Sequence, residues 1–200
     1  TNPKRMQIPG EARKVRIAFL PPMSGLAANE TRLVDMGAIN VRIGEGRTAE
    51  VLRNLCYKVY SESIERWSKI TERIQSLFGA NLRDRRHNSE RGEITMDYEE
   101  RGCHLDLSSS GRGLQQTLLL LAYMHANPGA VILLDEPDAH LEILRQRQIY
   151  QIITDVAREN GNQIIAASHS EVLLNEAADR DVVIAFVGKP HRINDRGSQV

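Results

Sequence analysis

Apolar positions along this chain follow two periods. Val15, Ile17 and Phe19 alternate with their neighbours as in a half-buried strand, which Pro21-Pro22 ends. From Thr48 onward the period becomes helical. Val51, Leu55, Val59, Ile64, Trp67, Ile70, Ile74 and Leu77 predict one long helix, with Thr48 as cap, Glu50 in the first turn and Gly79 as the stop. The repeat is too short and irregular for a sustained heptad, so the helix is expected to pack on the body of the protein rather than form a coiled-coil arm. Trp67 is expected as a core anchor. Between these elements, residues 23–46 read as loop with short turns. Residues 82–92, with four arginines, read as a solvated polar loop whose sharper alternative is contact with a phosphate backbone.

The second half reads as strands and helices in alternation. Residues 92–100 and 103–107 predict two strands around Glu100-Arg-Gly102, and the apolar run from Leu114 to Met124 predicts a buried helix. Strands are expected over 130–134, 163–167 and 181–187. A helix over 141–160 carries Ile149, Ile152, Ile153 and Val156 on one face and stops at Gly161-Asn162, and a shorter one covers 171–177. Short apolar strands separated by helices predict an α/β fold with a parallel sheet covered on both faces. The segments are an N-terminal strand and loop (1–46), a helical and hairpin part (47–110) and a C-terminal lobe (111–200), expected to form one compact domain.

Composition adds limits. A chain of 200 residues, 41% hydrophobic and 26% charged, can bury a sizeable core. Its 26 basic and 26 acidic residues cancel, so net charge supplies no electrostatic footprint for DNA. There is no 18-residue apolar span and no signal-peptide pattern, so a cytoplasmic protein without membrane partners is expected. Cys56 and Cys103 lack metal-ligand spacing and read as reduced thiols.

The chemistry concentrates in three places. Val131-Ile-Leu-Leu134 delivers Asp135 and Glu136 at a strand end, closed by Pro137. The first carboxylate can orient Mg²⁺ through its water shell, and the second can polarise water for attack on a γ-phosphate. Upstream, the small residues Ser108, Ser109, Ser110 and Gly111 precede the buried helix. There the backbone can approach an anion and the helix dipole favours phosphate. Downstream, His169 stands between Ser168 and Ser170 after another apolar strand. Taken singly, an ordinary serine cap and a polar strand-end histidine are the plainer readings.

In this order the motifs resemble the second half of an ABC-type ATPase, in the branch holding SMC-like, RecF-like and OLD-family proteins, over about residues 105–188. The resemblance implies that Asp135 and Glu136 are the Walker B pair, with Glu136 as general base, and that His169 is the switch histidine. Asp138-Ala-His-Leu141 would be the D-loop along a homodimer interface. Ser108 to Gly111 would be the signature motif, capping ATP held by the opposite protomer. The departure from Leu-Ser-Gly-Gly-Gln leaves Ser108 or Ser109 as the γ-phosphate ligand, while Gly111, Gly113 and Gln116 form a Gly-x-Gly-x-x-Gln variant closer to the OLD-like group. His140 either faces the partner's nucleotide or caps the next helix. Arg145 and Arg147 are expected to be surface charges.

One element of such an enzyme is absent. None of the 14 glycines begins a Gly-x-x-x-x-Gly-Lys-Ser/Thr turn, and Gly188-Lys189-Pro190 has the wrong neighbours. The chain begins at Thr1, and it is expected to be the C-terminal part of a longer ATPase whose Walker A lobe lies upstream. Alone it should bind ATP weakly or not at all. The function implied is ATP and Mg²⁺-dependent hydrolysis at a dimer interface, in DNA repair, maintenance or defence against foreign DNA. The alternatives are an ATPase gating an OLD-like nuclease outside this chain, and a non-catalytic scaffold.

Overall fold

The computed structural model describes residues 10–184. The first elements are β1 (Ile17–Leu20), β2 (Glu30–Thr31), α1 (Met36–Gly44), α2 (Leu52–Glu62) and α3 (Ile64–Phe78). Then come β3 (Asn81–Asn88), β4 (Glu93–Glu100), β5 (Cys103–Asp106) and α4 (Arg112–Ala126). The chain closes with β6 (Val131–Asp135), α5 (Ile143–Asn160), β7 (Gln163–Ala167) and α6 (Glu171–Ala178). Two sheets result. One is parallel, in the order β1-β6-β7, with Ile17 beside Val131 and Val131 beside Gln163. The other is antiparallel: β4 pairs with β2, β3 and β5.

The helix α4 is the centre of the core. Every residue from Leu114 to His125 is buried, and one continuous apolar cluster joins this helix to β1, β6, α2, α3 and α5. A helix with apolar residues on every face is stable only when enclosed, and the few polar residues of α4 are buried with it. Each leucine so buried contributes on the order of 2 kcal/mol.

The first strand is confirmed in place but reversed in face. Ala18 and Leu20 point into the core, whereas Val15, Ile17 and Phe19 are exposed. In Ile-Ala-Phe-Leu both parities are apolar, so alternation alone cannot choose the inner set. The expected α/β fold with a parallel sheet flanked by helices stands, while Ile165 on β7 is exposed as well.

The single long helix is two. Ser63 is extended, and its hydroxyl accepts from the Arg66 amide to cap α3. The five-residue gap from Val59 to Ile64 marks this break, because a continuous helical stripe does not skip five. Across the elbow, Arg85 lies over the rings of Tyr60 (3.7 Å) and Trp67 (4.2 Å), and Trp67 is buried. Thr48 does not cap α2. It sits buried in a 3₁₀ turn, where its hydroxyl accepts from the Ser24 amide. Gly79 does end α3, in the left-handed conformation that glycine adopts freely.

The arginine-rich segment is strand rather than loop. β3 runs along β4 with a bulge between Leu82 and Arg85, and Arg83 and Arg86 face Glu99 and Asp97. Opposite charges across a strand pair support an otherwise polar strand. Residues 23–46 likewise hold more structure than expected, namely β2 and α1, the latter capped by Asp35. The hairpin of β4 and β5, the helix α5 with its stop at Gly161, and α6 stand as predicted. Of the strand expected over 181–187, residues 181–184 carry no strand and the rest lie outside the described residues.

His125 on α4 is buried, with Nδ1 3.3 Å from the Asn160 amide nitrogen. Burial, reinforced by Arg73 and opposed by Glu159, pushes its pKa down to about 4. The unfolded chain therefore takes up a proton that the folded chain refuses between pH 6.5 and 4. This contribution to stability is complete above pH 6.5 and is lost as pH falls through that window. At pH 5 the loss should be on the order of 2 kcal/mol. Urea midpoints at pH 7 and pH 5 should differ more for wild type than for His125→Gln. Equal pH dependence of the two would show that His125 is not the group responsible.

Candidate active site

The strand β6 ends where its chemistry begins. Asp135 pairs in register with Ala167 of β7, and the Glu136 amide donates to the Ala167 carbonyl at 2.8 Å. Glu136 then turns the chain with φ +46, and His140 follows with φ +65. Left-handed geometry at residues that carry a Cβ costs of order 1–3 kcal/mol each and persists only where the surroundings enforce it. Here they do. The Ala139 amide donates to the Glu136 carbonyl, and the Leu141 amide to the Asp138 carbonyl.

Side chains stitch this turn to the end of β7. Asp138 is buried and accepts from the Ser168 hydroxyl at 2.8 Å, while Ser168 accepts from the Ser170 amide. Ser170 hydrogen-bonds to Gln146, whose amide donates to the Leu141 carbonyl. The network braces the backbone on either side of His169, whose side chain is exposed, with Nε2 3.7 Å from Glu136 Oε1 on the adjacent strand end. Asp135 is exposed beside them. Among the described residues no group of three or more His, Cys, Asp or Glu could hold a metal ion. His140 does not cap α5. Glu142 occupies that position, and His140 is exposed. Arg145 lies over the Phe78 ring, and Arg147 pairs with Glu176 on the surface.

The serine turn is a second built feature. Asp106 Oδ1 accepts from the Ser108 amide (2.8 Å), from the Ser108 hydroxyl (2.5 Å) and from Arg53 (2.9 Å). The Ser110 hydroxyl is turned inward to the Leu107 carbonyl, and Gln115 donates to the Ser110 carbonyl at 2.9 Å. Ser109 is exposed and makes no side-chain hydrogen bond among the described residues. The helix α4 is capped by Gly111 with no side-chain bond, so the ordinary serine-cap reading fails and no side chain caps its first turn.

Gly113 joins the two features. A Cβ there would lie 3.2 Å from both the His140 carbonyl oxygen and Leu141 Cδ2. The turn after β6 therefore rests directly on the backbone of α4. Sequence reasoning missed this contact, as it missed Arg53 and Ser168. Two adjacent amides, Gln115 and Gln116, inside an apolar run were a usable signal. Gln116 accepts from the Met23 amide, as Gln115 holds the serine turn.

An α/β body that presents an Asp-Glu strand end, a histidine on the neighbouring strand and a serine-glycine turn before a buried helix is the lobe of an ABC/AAA-type ATPase. Residues 50–175 match the family described as "AAA domain, putative AbiEii toxin, Type IV TA system", and the chain belongs to that family. Curated relatives are ATP-binding proteins. The cobalamin import ATP-binding protein BtuD of Halobacterium salinarum is 34% identical over 91 residues, covering 46% of this chain and 21% of that protein. The oligopeptide transport ATP-binding protein AppD of Bacillus subtilis is 26% identical over 77 residues, covering 38% and 23%. The chain thus spans roughly a fifth of the length of these relatives. Among solved structures, the Smc head domain with a coiled coil and joint from Pyrococcus yayanosii aligns with a TM-score of 0.46 and 19% identity, over 70% of this chain and 28% of that one. A structure from work on ATP-driven dimerization and DNA-stimulated activation of SMC ATPases aligns with a TM-score of 0.43 and 19% identity, over 55% and 73%. Among the described residues no helix is long and apolar enough to cross a membrane.

The contact at Gly113 has a measurable consequence. In a helix interior, alanine is favoured over glycine by about 1 kcal/mol. Gly113→Ala should nevertheless lower stability, by about 1–2 kcal/mol, because its Cβ presses on backbone. Amide exchange over residues 138–141 should quicken with it. Unchanged or raised stability in urea would show that the contact is slack.

Proposed function

We propose that this chain supplies the hydrolytic carboxylate, the phosphate-sensing histidine and the signature turn of a composite ATP hydrolase. The observation that carries the reading is the pairing of Glu136 with His169 at 3.7 Å, at the carboxyl ends of adjacent parallel strands. Such strand ends are where ligands bind in open α/β sheets. Glu136 accepts the proton of the attacking water. His169 donates a hydrogen bond to the γ-phosphate and keeps its place through the Asp138, Ser168 and Ser170 network. Asp135 would hold Mg²⁺ through water, and the ion would supply charge neutralisation at the phosphates. Ser109, Gly111 and the first amides of α4 cap the nucleotide held by a second copy, with Gly113 seating that turn against the D-loop residues Asp138 to Leu141.

Of the three serines, Ser109 is our choice for the γ-phosphate ligand. The hydroxyls of Ser108 and Ser110 already donate within the turn. The Walker A lobe comes from sequence outside this chain. The exposed Ile17, Phe19 and Ile165 on the parallel sheet support this, since parallel sheets are stable when both faces are covered. The biological setting we propose is DNA maintenance or defence against foreign DNA. Arginines 83 and 86 are already engaged by carboxylates, so any DNA contact made by β3 is local rather than a broad basic surface.

In the full-length protein, Glu136→Gln should lower ATP turnover at least about a hundredfold, the scale of a lost general base, while ATP still binds. Turnover near wild type would remove Glu136 from the chemistry. In the same assay Ser109→Ala should cut turnover by about tenfold or more, as loss of one transition-state hydrogen bond does. Ser108→Ala should leave most of it. The reverse order would assign the phosphate to Ser108.

A further inference from the structure

One buried charge has no part in the chemistry above. Arg53 on α2 has a side chain only 1% exposed. A buried guanidinium is a poor stabilising device, and one that persists fixes a particular geometry where its partners matter. Its Nη1 donates to the Ala27 carbonyl at 2.9 Å and lies 3.8 Å from buried Glu30. Its Nη2 donates to Asp106 at 2.9 Å. Glu30 in turn accepts from the Arg53 and Asn54 amides, capping a helix whose own N-cap residue, Val51, offers no side-chain bond. The guanidinium is thus seated on a rigid base.

Its outward partner is Asp106, half exposed at the end of β5, and the same Asp106 oxygen holds the amide and hydroxyl of Ser108. We infer that the Arg53–Asp106 pair is the positioning device of the signature turn, fixing Ser108 so that the Ser109 hydroxyl faces the nucleotide of the opposite protomer. Neither residue touches that nucleotide. The link runs from the helical body through one guanidinium, one carboxylate oxygen and one backbone amide to the serine that does. The inference rests on the ATPase reading above and adds the residues that hold its trans-acting surface.

The test is subunit complementation in the full-length protein. Asp106→Ala alters a half-exposed side chain and should fold. It should lose at least about tenfold in turnover, the scale of one misplaced phosphate donor, while its own Glu136 and His169 stay intact. Mixed with the Glu136→Gln protein, itself inactive, it should regain about a quarter of wild-type turnover. Half of the dimers formed at random are mixed, and each then holds one complete site. A protein damaged in fold or in its own hydrolytic site cannot be rescued this way. Arg53→Lys keeps the charge but loses the fork that reaches Ala27 and Asp106 together, and it should complement alike.

A mixture as inactive as its components overturns the inference, as does wild-type turnover by Asp106→Ala alone. Rescue with Asp106→Ala but full activity in a folded Arg53→Lys would remove Arg53 and leave Asp106. Absence of turnover in the wild type would instead fall on the ATPase reading itself.

Discussion

The enclosure of α4 is the constraint on which the rest of this structure depends. Its residues from Leu114 to His125 are buried on every side, so α2, α3, α5 and the inner face of the parallel sheet must all close on it. Sequestering that much apolar surface supplies the bulk of the folding free energy. It also fixes where the helix begins. The serine turn at its N-terminus and the strand β6 beyond its C-terminus are therefore set relative to each other by the core itself.

Polar contacts then sharpen what the core has placed. The turn from Glu136 to Leu141 carries two left-handed residues, and it is held by backbone bonds, by Ser168 on Asp138, and by the carbonyl of His140 resting on Gly113. On the other side of Gly113, Gln115 and Asp106 hold the serine turn. The turn after β6 and the serine turn are thus two faces of one packed unit. Interfaces of this kind shift between discrete arrangements instead of deforming smoothly, because packed interiors are nearly incompressible. A change at Glu136 can reach the serine turn within a few contacts.

Much of this was legible in the residues. The strand-end carboxylates, the buried helix, the β4–β5 hairpin and the stops at Gly79 and Gly161 each follow from local chemistry that tertiary packing reinforced. What was not legible has physical causes. Both parities of Ile-Ala-Phe-Leu are apolar, so the buried face of β1 depended on which neighbours were present. The arginine strand β3 lacks an apolar stripe and is set by its ladder with β4, to which the carboxylates across from it add. Ser63 breaks a helix by capping the next one, a feature visible only as a gap in spacing. Arg53 pairs with Glu30 and Asp106, 23 and 53 residues away, and no local pattern reports a contact of that range.

The central claim is that residues 107–116 and 135–141 belong to one nucleotide site completed by a second copy. Amide hydrogen exchange of the full-length protein, with and without ATP and Mg²⁺ and with its mass followed in parallel, tests it most directly. The account predicts that both segments slow together, in step with formation of a dimer. Protection of residues 135–141 in a monomer, or no protection of either segment at saturating ATP, would contradict it.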